Sequence, residues 1–552
     1  MEDVAVTAQP GGSAHIDDFT ARGLPPRSEW PVMTFDLPEL SYPPRLNCAT
    51  VLLGDAIREG HGDSVALRSD AGEWTYAQLL EQSDRIANVL VHDLGIVPGN
   101  RVLLRGYNGL MLAAAWFAVM KVGAVAVPTM PMLRTHELSQ ICAKAQVRHA
   151  LCDHRLMSEL CAAMPDALEQ GRLLSFGDGA LERRMAVQAP TFADVQTAAE
   201  DVCLLAFTSG TTGKPKATMH FHRDILAMAD VVGGRLLRTG PDDVHLGSPP
   251  FAFTFGLGAL LVFPLRFRAS AALIEQPSPD ALIRAIPKFG VTALFTAPTM
   301  YRNLVPLARD FDLRSLRRCV SAGEPLPKAI SDQWSDATGI RLIDGIGATE
   351  MIHIFISAAG EEIRPGATGK PLPGYQAVVL DEQGRPQTHG SGRLAVRGPT
   401  GCRYLDDDRQ RGYVVDGWNV TGDRYRIDED GYFWFEARAD DMIVSAGYNI
   451  AGPEVEAALL EHPAVREVAV VGAPDPARGQ VVKAVVVLRE GFQGDAALVR
   501  ALQDHVKNAI APYKYPRMVE FVAGLPKTPS GKIQRYALRQ GDGPPAGGIA
   551  TT

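Results

Sequence analysis

The chain has 552 residues, of which 46% are hydrophobic and 21% are charged, and its formal net charge is −8. This length allows several packed units, and the composition is that of an ordinary water-soluble protein. The acidic balance gives no electrostatic reason to expect nucleic acid or an anionic membrane as the main partner.

Cysteine spacing and the amino-terminal residues indicate the compartment. The seven cysteines are scattered and never spaced as CxxC, so we predict neither a disulfide framework nor a zinc site. The acidic start "MEDVAVTAQPGGSAHIDDF" shows no secretory signal. Lys121 and Gly123 interrupt the longest apolar stretch, which therefore predicts a buried helix and a core strand; a membrane span needs about 20 apolar residues. We expect a cytoplasmic protein in a reducing compartment.

Helix and strand patterns alternate from about Cys48 to Glu436. The stretch "TYAQLLEQSDRIANVLVHDLG" predicts a helix, and the segments after it predict short strands: "RVLLRG", "GAVAVP", "CLLAFT", "AALIE", "ALFTAP" and "RLIDGIG". This alternation predicts an α/β fold of parallel sheets covered by helices. Several of the strands end in small or turn residues, where open α/β sheets bind ligands, so we expect their loops to converge on one crevice.

The pattern changes near Ala439–Asp441. Pro453 and Glu454 open a short predicted helix, and "EVAVVGAP" and "QVVKAVVVL" predict strands of a smaller α+β unit. We therefore predict a large domain at residues 1–439 and a smaller one at 440–552.

The stretch "LLAFTSGTTGKPKATMHFH" joins an apolar run to a loop rich in glycine, hydroxyl groups and lysine. Glycines let a backbone approach an anion, while hydroxyl groups and lysines add donors and positive charge. The loop is not a Walker motif, because two residues separate Gly210 from Gly213 and Pro215 follows Lys214. We predict a phosphate loop, with a surface turn as the alternative. Its predicted residues are Thr208, Ser209, Gly210, Thr211, Thr212, Gly213 and Lys214.

Six motifs occur in order along the chain: "TSGTTGKPK" (208–216), "SAGEP" (321–325), "DGIGATE" (344–350), "TGD" (421–423), "ARADD" (437–441) and "PKTPSGKIQR" (526–535). With these motifs the sequence resembles the adenylate-forming enzymes, which include acyl- and aryl-CoA synthetases, peptide-synthetase adenylation domains and luciferases. The resemblance implies an amino-terminal adenylation domain with the ATP and acid site, and a mobile carboxy-terminal domain. It also implies that a carboxylate attacks the α-phosphorus of ATP to give acyl-AMP, from which a thiol then displaces AMP.

The resemblance also implies residue roles. Thr349 bonds the α-phosphate, Glu350 helps hold Mg²⁺, and Lys532 bonds both the carboxylate and the α-phosphate. The implied nucleotide contacts are Gly323, Glu324 and Pro325 beside adenine, Asp344 at its amino group, and Asp423 and Arg438 at the ribose. Asp440 resembles the hinge between the domains, and Gly447 lies on the implied thiolation surface. Ala437 stands where the family usually has glycine, which puts details of nucleotide affinity in doubt.

The resemblance to aryl-CoA ligases implies that two segments build the acid pocket: "SPPFAFTFGLGALLVFPL" (248–265) and "GATEMIHIFISA" (347–358). Aromatic and small residues there favour a flat ring, and "TEMIHIF" resembles benzoate- and 2-aminobenzoate-CoA ligases. Thr254 and His353 could pair with an ortho amino or hydroxyl group. The predicted pocket residues are Phe253, Thr254, Phe255, Gly347, His353 and Ile354.

The resemblance therefore implies an aryl-CoA ligase that uses ATP, Mg²⁺ and CoA, most readily with 2-aminobenzoate. Three alternatives remain open: a benzoate or 2-hydroxybenzoate ligase, a stand-alone adenylation enzyme that loads a carrier protein, and a non-enzymatic nucleotide-binding protein. His353 could equally be a core histidine held by backbone, in which case the pocket senses only ring size.

Overall fold

A computed structural model describes residues 12–209, 215–438, 441–445, 448–475, 478–510, 512–527, 532–540 and 547–551. Within these ranges, strands before residue 439 form three sheets and strands after residue 442 form a fourth. The predicted hinge residue Asp440 lies outside the described residues, so the division at residue 440 stays a prediction.

A six-stranded sheet carries the strands that flank the predicted phosphate loop. Its first five strands are parallel, and the sixth pairs antiparallel with the fifth. In spatial order the strands are Leu173–Phe176, His149–Asp153, Arg101–Arg105, Val125–Thr129, Val202–Ser209 and Pro215–Phe221.

A nine-stranded sheet carries most of the other predicted site segments. Its six central strands are parallel and its outer strands are antiparallel. In spatial order the strands are Lys370–Pro371, Ile354–Ser357, Leu342–Gly347, Arg318–Ala322, Ala293–Thr296, Val244–Gly247, Ser270–Ala272, Val65–Ser69 and Gly72–Thr75. The parallel centres of these two sheets confirm the predicted α/β class.

The third sheet corrects the expectation that parallel sheets continue to Glu436. Its six strands are all antiparallel: Pro386–Gln387, Gln376–Leu380, Gly390–Arg397, Trp418–Ile427, Val414–Val415 and Phe433–Arg438. Turns rather than helices connect most of these strands, and antiparallel neighbours can be joined by such short turns.

Helices cover both parallel sheets, and one apolar core extends across all three sheets of this unit. Helix Tyr76–Asn88 starts at a capping box: Thr75 accepts from the Gln78 N–H at 3.2 Å, and the Gln78 side chain accepts from the Thr75 N–H at 2.9 Å. The other α-helices of at least seven residues described in this unit are Leu110–Lys121, Thr135–Ala145, Met157–Ala163, Ala180–Ala186, His222–Met228, Pro279–Phe289, Pro298–Leu304 and Lys328–Thr338, and the π-helix Ala229–Leu236 continues His222–Met228.

The longest apolar stretch forms the predicted buried helix and strand, Leu110–Lys121 and Val125–Thr129. Lys121, which interrupts the stretch, is itself buried, and its ammonium pairs with Asp84 at 2.9 Å and with Asp194 at 2.5 Å. A buried charge needs such partners. No helix among the described residues combines the length and apolar character required to cross a bilayer.

The carboxy-terminal unit has its own core and sheet. Its strands are Tyr448–Ile450, Ile443–Ser445, Val465–Asp475, Gly479–Leu488, Met518–Phe521 and Gly547–Thr551, and its helices are Gly452–Leu460, Ala496–Ala509 and Arg535–Gln540. Arg302 contacts this unit by donating to the carbonyl of Arg466 at 3.1 Å.

Candidate active site

The loop that carries Thr349 and Glu350 lies at the carboxyl end of strand Leu342–Gly347, as the sequence predicts. Neighbouring elements fix its backbone. His220 Nε2 donates to the Thr349 carbonyl at 2.8 Å, and the Thr400 hydroxyl donates to the Met351 carbonyl at 2.8 Å. Bonds on either side of Glu350 therefore hold the turn in place before any ligand binds.

Backbone strain follows immediately after this turn. Ile352 has φ = 64° and is fully buried. A β-branched residue rarely adopts a positive φ, and such residues persist where the surrounding structure determines them. Tertiary contacts therefore impose this conformation, which separates Glu350 from the predicted pocket residue His353.

A buried ion pair between Arg403 and Asp224 lies next to His220. The Arg403 guanidinium donates to Asp224 Oδ2 at 2.9 Å, and neither side chain is exposed. Burial raises the pKa of Asp224, but Arg403, His220 and Arg223 outweigh it and hold that pKa at about 2. Asp224 Oδ2 lies 3.9 Å from Nδ1 of His220, the histidine that donates to the Thr349 carbonyl.

Two antiparallel strands that form a β-hairpin flank the predicted phosphate loop. Thr208 pairs with Lys216, and Ser209 pairs with Pro215, across the antiparallel strands Val202–Ser209 and Pro215–Phe221. Five of the predicted loop residues lie outside the described residues: Gly210, Thr211, Thr212, Gly213 and Lys214. A hairpin differs from a Walker loop, which opens a helix, and agrees with the mismatch to that motif.

Glu350 makes a hydrogen bond that the motifs do not predict. The Tyr404 hydroxyl donates to Glu350 Oε1 at 2.5 Å and accepts from Lys216 Nζ at 3.3 Å. Burial and the neighbouring carboxylate raise the pKa of Tyr404 far above its ordinary value. Glu350 is a side chain that can hold a divalent cation, because a carboxylate keeps a second oxygen when one accepts a hydrogen bond.

Two residues of the implied adenine site have defined surroundings. Glu324 Oε2 accepts from the Thr299 hydroxyl at 2.7 Å, and the preceding Gly323 has φ = 89°. Burial raises the pKa of Asp344 to about 7, although the neighbouring Gly345 N–H and Thr368 hydroxyl act in the opposite direction. Pro325 is exposed beside Glu324.

The implied ribose residues face each other across strands Trp418–Ile427 and Phe433–Arg438. Asp423 pairs with Arg438 in register, and the guanidinium donates to Asp423 Oδ1 at 3.1 Å. Burial nevertheless raises the pKa of Asp423. A buried carboxylate at this edge can accept further hydrogen bonds from a bound polyol.

Lys532 reaches the same site from the carboxy-terminal unit. Burial lowers its pKa, and Arg438 lowers it further, whereas Glu324, Asp423 and Glu350 act in the opposite direction. The ammonium therefore lies within electrostatic range of three acidic residues from the large unit. Lys532 is thus electrostatically coupled to Glu350 of the Thr349 turn and to Glu324, Asp423 and Arg438.

His353 lies in an aromatic cluster with Phe255, which was a predicted pocket residue, and with Phe263, which was not. The imidazole is buried, with its ring centroid 5.6 Å from that of Phe255 and 4.7 Å from that of Phe263. Its Nε2 lies 3.4 Å from the Phe255 carbonyl, and its Nδ1 has no partner among the described residues. Burial lowers the pKa of His353 to about 3, so the ring is neutral near pH 7.

Close packing fixes the position of this histidine. A Cβ on Gly258 would lie 2.6 Å from Cδ2 of His353, and one on Gly347 would lie 2.9 Å from the His353 carbonyl carbon. Thr254 and Ile354 are buried and Phe253 is half-buried. All six predicted pocket residues lie within three segments, 253–258, 347 and 353–354, that converge at one end of the nine-stranded sheet.

One buried cluster of potential metal ligands lies apart from the predicted site residues. The ligand atoms of Cys48, Cys203 and His222 lie within 4.8 Å of one another, although their spacing in the sequence suggested no zinc site. The Nδ1 atom of His222 already accepts from the Cys48 N–H at 3.2 Å. That bond occupies the lone pair of Nδ1, whereas His222 Nε2 is buried without a hydrogen-bond partner among the described residues.

The motifs give no indication of the contacts that His220 and Tyr404 make in the site. His220 is 129 residues from Thr349, and Tyr404 is 54 residues from Glu350. One signal was available for His220, since it stands in the same strand as the end of the predicted phosphate loop. The predicted thiolation residue Gly447 lies outside the described residues.

Known proteins match the chain over most of its length. The AMP-binding enzyme family matches residues 55–404, and the AMP-binding enzyme C-terminal domain matches residues 454–532. The benzoate–CoA ligase of Thauera aromatica is 33% identical over 513 residues, which cover 91% of this chain and 97% of that ligase.

Two solved structures are similar in fold. The anthranilate CoA ligase AuaEII in complex with anthranoyl-AMP has a TM-score of 0.85 and 32% identity, covering 92% of this chain and 99% of that one. A benzoate CoA ligase from Burkholderia xenovorans LB400 has a TM-score of 0.82 and 31% identity, covering 90% of this chain and 100% of that one. The chain therefore belongs to the AMP-binding enzyme family, within the adenylate-forming superfamily, and is close to its aryl-CoA ligases.

Proposed function

We propose that the protein is an AMP-forming ligase that activates an aromatic carboxylic acid with ATP and transfers it to CoA, with 2-aminobenzoate as the preferred acid. The observation that carries this proposal is the neutral, buried His353 within an aromatic cluster, next to the turn of Thr349 and Glu350. The family resemblance supplies the reaction, and this pocket supplies the class of acid.

In the first step, a carboxylate oxygen bonds to the α-phosphorus of ATP, and the bond from that phosphorus to the bridging oxygen breaks to release pyrophosphate. We assign Thr349 to the α-phosphate and Lys532 to both reacting oxygens, because a lysine can balance charge that develops between them. Mg²⁺ held by Glu350 would offset charge on the phosphate oxygens. We assign nucleotide binding to the phosphate loop and to the adenine and ribose residues named above.

In the second step, the sulfur of CoA bonds to the carbonyl carbon of the aryl-AMP, and the carbon–oxygen bond to AMP breaks. We propose that rotation at Asp440 withdraws Lys532 and brings Gly447 to the thiol path. Domains at 1–439 and 440–552 would then serve two half-reactions with one site. A carrier-protein thiol is the alternative acceptor.

The preference for an ortho amino group follows from the tautomer of His353. A neutral imidazole carries one proton, and Nε2 lies beside the Phe255 carbonyl, so Nδ1 is left as an acceptor without a partner among the described residues. An ortho amino or hydroxyl group can donate to it, whereas benzoate cannot. An unsatisfied buried acceptor costs about 1–3 kcal/mol.

The test compares kcat/KM for 2-aminobenzoate and benzoate in the wild type, Thr254→Val and His353→Ala, measured as pyrophosphate release with CoA present. We expect the wild type to favour 2-aminobenzoate by roughly 5-fold to 150-fold and His353→Ala to lose most of that preference. His245→Ala is the matched control, because His245 is also buried and stacks on Phe295 with ring centroids 5.0 Å apart. His245→Ala should keep the wild-type ratio of kcat/KM for 2-aminobenzoate to that for benzoate.

Three outcomes would change the proposal. A ratio near one in all the proteins would remove ortho recognition and leave an aryl-CoA ligase. Pyrophosphate release without thioester formation from free CoA would favour a carrier protein as the acceptor. Absence of pyrophosphate release with every aromatic acid would contradict the proposal as a whole.

A further inference from the structure

Tyr404 links two parts of the candidate site that are distant in sequence. Its hydroxyl donates to Glu350 and accepts from the ammonium of Lys216, which lies in the strand that follows the predicted phosphate loop. The same ammonium lies 4.9 Å from the centroid of the Tyr404 ring. One side chain thus contacts both a carboxylate from the Thr349 turn and a cation from the hairpin.

The bonds of the hydroxyl dictate how it acts on Glu350. A phenol has one proton and ordinarily stays protonated at neutral pH, so the donation to Glu350 leaves its oxygen to accept from Lys216. Because Oε1 of Glu350 accepts this hydrogen bond, the second carboxylate oxygen is the one left for a cation. The hydroxyl therefore selects one orientation of the carboxylate.

The surroundings of Tyr404 hold it in this position. Its side chain is 1% exposed, and its backbone N–H donates to the Gln410 side chain at 2.9 Å. The segment also pairs with strand Pro215–Phe221, where the Leu405 N–H donates to the Ala217 carbonyl at 2.9 Å. The Tyr413 ring packs edge-on against it, with centroids 5.8 Å apart. Tyr404 is therefore anchored to the hairpin rather than to the turn that it bonds.

We propose that Tyr404 is a positioning residue for adenylation, which orients Glu350 toward Mg²⁺ and joins that carboxylate to Lys216 at the base of the phosphate loop. This inference rests on the proposed role of Glu350 in holding Mg²⁺. Partners that orient metal-binding carboxylates typically contribute a factor of about 10–100 in metal affinity or activity.

The test uses Tyr404→Phe, which keeps the ring over Lys216 and removes only the hydroxyl. The matched control is Tyr413→Phe, because the Tyr413 hydroxyl is buried without a hydrogen-bond partner in the described part of the chain. Glu350→Gln is the comparator for loss of the metal-binding charge. ATP binding is measured by calorimetry with and without Mg²⁺, and pyrophosphate release is measured against Mg²⁺ concentration.

We expect Tyr404→Phe to raise the half-saturating Mg²⁺ concentration about 10-fold and to reduce the gain in ATP affinity that Mg²⁺ provides, with binding of ATP alone unchanged. Tyr413→Phe should match the wild type within about twofold. If Tyr404 only stabilised the fold, Tyr404→Phe would lower thermal stability and leave the half-saturating Mg²⁺ concentration unchanged.

Two results separate the possible failures. If Glu350→Gln changes the Mg²⁺ dependence and Tyr404→Phe does not, the positioning role of Tyr404 is overturned. If Glu350→Gln also leaves the dependence unchanged, the proposed role of Glu350 is wrong, and the inference falls with it. The calorimetric measurement needs no knowledge of the acid substrate.

Discussion

Asp344→Asn tests the electrostatics of the implied adenine site through the pH dependence of stability. Burial raises the pKa of Asp344 from 3.8 to about 7 in the folded protein, even though the neighbouring Gly345 N–H and Thr368 hydroxyl act in the opposite direction. Between these values the folded protein keeps a proton that the unfolded chain has lost. The free energy of unfolding therefore falls as pH rises through this interval and changes no further above it.

The size of the effect follows from the two pKa values. Each pKa unit corresponds to about 1.4 kcal/mol. Relative to a pH below both pKa values, Asp344 therefore lowers the free energy of unfolding by about 2 kcal/mol near pH 5.5 and by about 4 kcal/mol near pH 8. Asparagine does not titrate. The stability of Asp344→Asn relative to wild type should thus rise by about 2 kcal/mol between these two pH values.

The assay is urea unfolding followed by tryptophan fluorescence at both pH values. Asp381→Asn is the control, because the Arg385 N–H and side chain hold the pKa of Asp381 below 3.8, and its effect should not vary over this range. If the difference in free energy of unfolding between Asp344→Asn and the wild type is the same at both pH values, the raised pKa of Asp344 is refuted.

Three other substitutions test separate parts of the site. Lys532→Ala should slow pyrophosphate release by about 10²–10³ and leave thioester formation from supplied aryl-AMP intact; equal losses in both steps would contradict its assignment. Gly258→Ala, whose Cβ would lie 2.6 Å from His353 Cδ2, should raise KM for the aromatic acid without changing KM for ATP; an unchanged KM for the acid would place His353 outside the pocket. Arg403→Met removes the buried guanidinium that donates to Asp224 and leaves only the more distant Arg223 at 3.9 Å, so it should lower the free energy of unfolding by about 3–5 kcal/mol in urea titrations, and a loss below about 1 kcal/mol would contradict this.

Local sequence patterns were sufficient for the parallel sheets and for most of the motif-bearing segments. The strands around residues 101–105, 125–129 and 342–347 follow from apolar runs that end in turn residues. The buried helix Leu110–Lys121 was predictable because its apolar length is too short and too interrupted for a membrane. These features depend on neighbours in the chain.

Contacts between distant segments could not be predicted in the same way. The bond from Tyr404 to Glu350 depends on the pairing of residues 403–405 with the hairpin strand, and nothing in the motif around Glu350 indicates it. The antiparallel sheet of residues 376–438 was missed because alternation earlier in the chain was extended across a region without helices long enough to cover a sheet. The Cys48, Cys203 and His222 cluster likewise arises only from the tertiary fold.

The central claim is that one site makes an aryl-AMP and passes it to CoA. The most direct measurement follows the products by mass spectrometry after the protein is mixed with ATP, Mg²⁺ and 2-aminobenzoate, first without CoA and then with it. We predict that 2-aminobenzoyl-AMP and pyrophosphate form in the first stage and that CoA converts the adenylate to 2-aminobenzoyl-CoA and AMP in the second. An adenylate that forms but persists after CoA is added, or no adenylate from any aromatic acid, would contradict the claim.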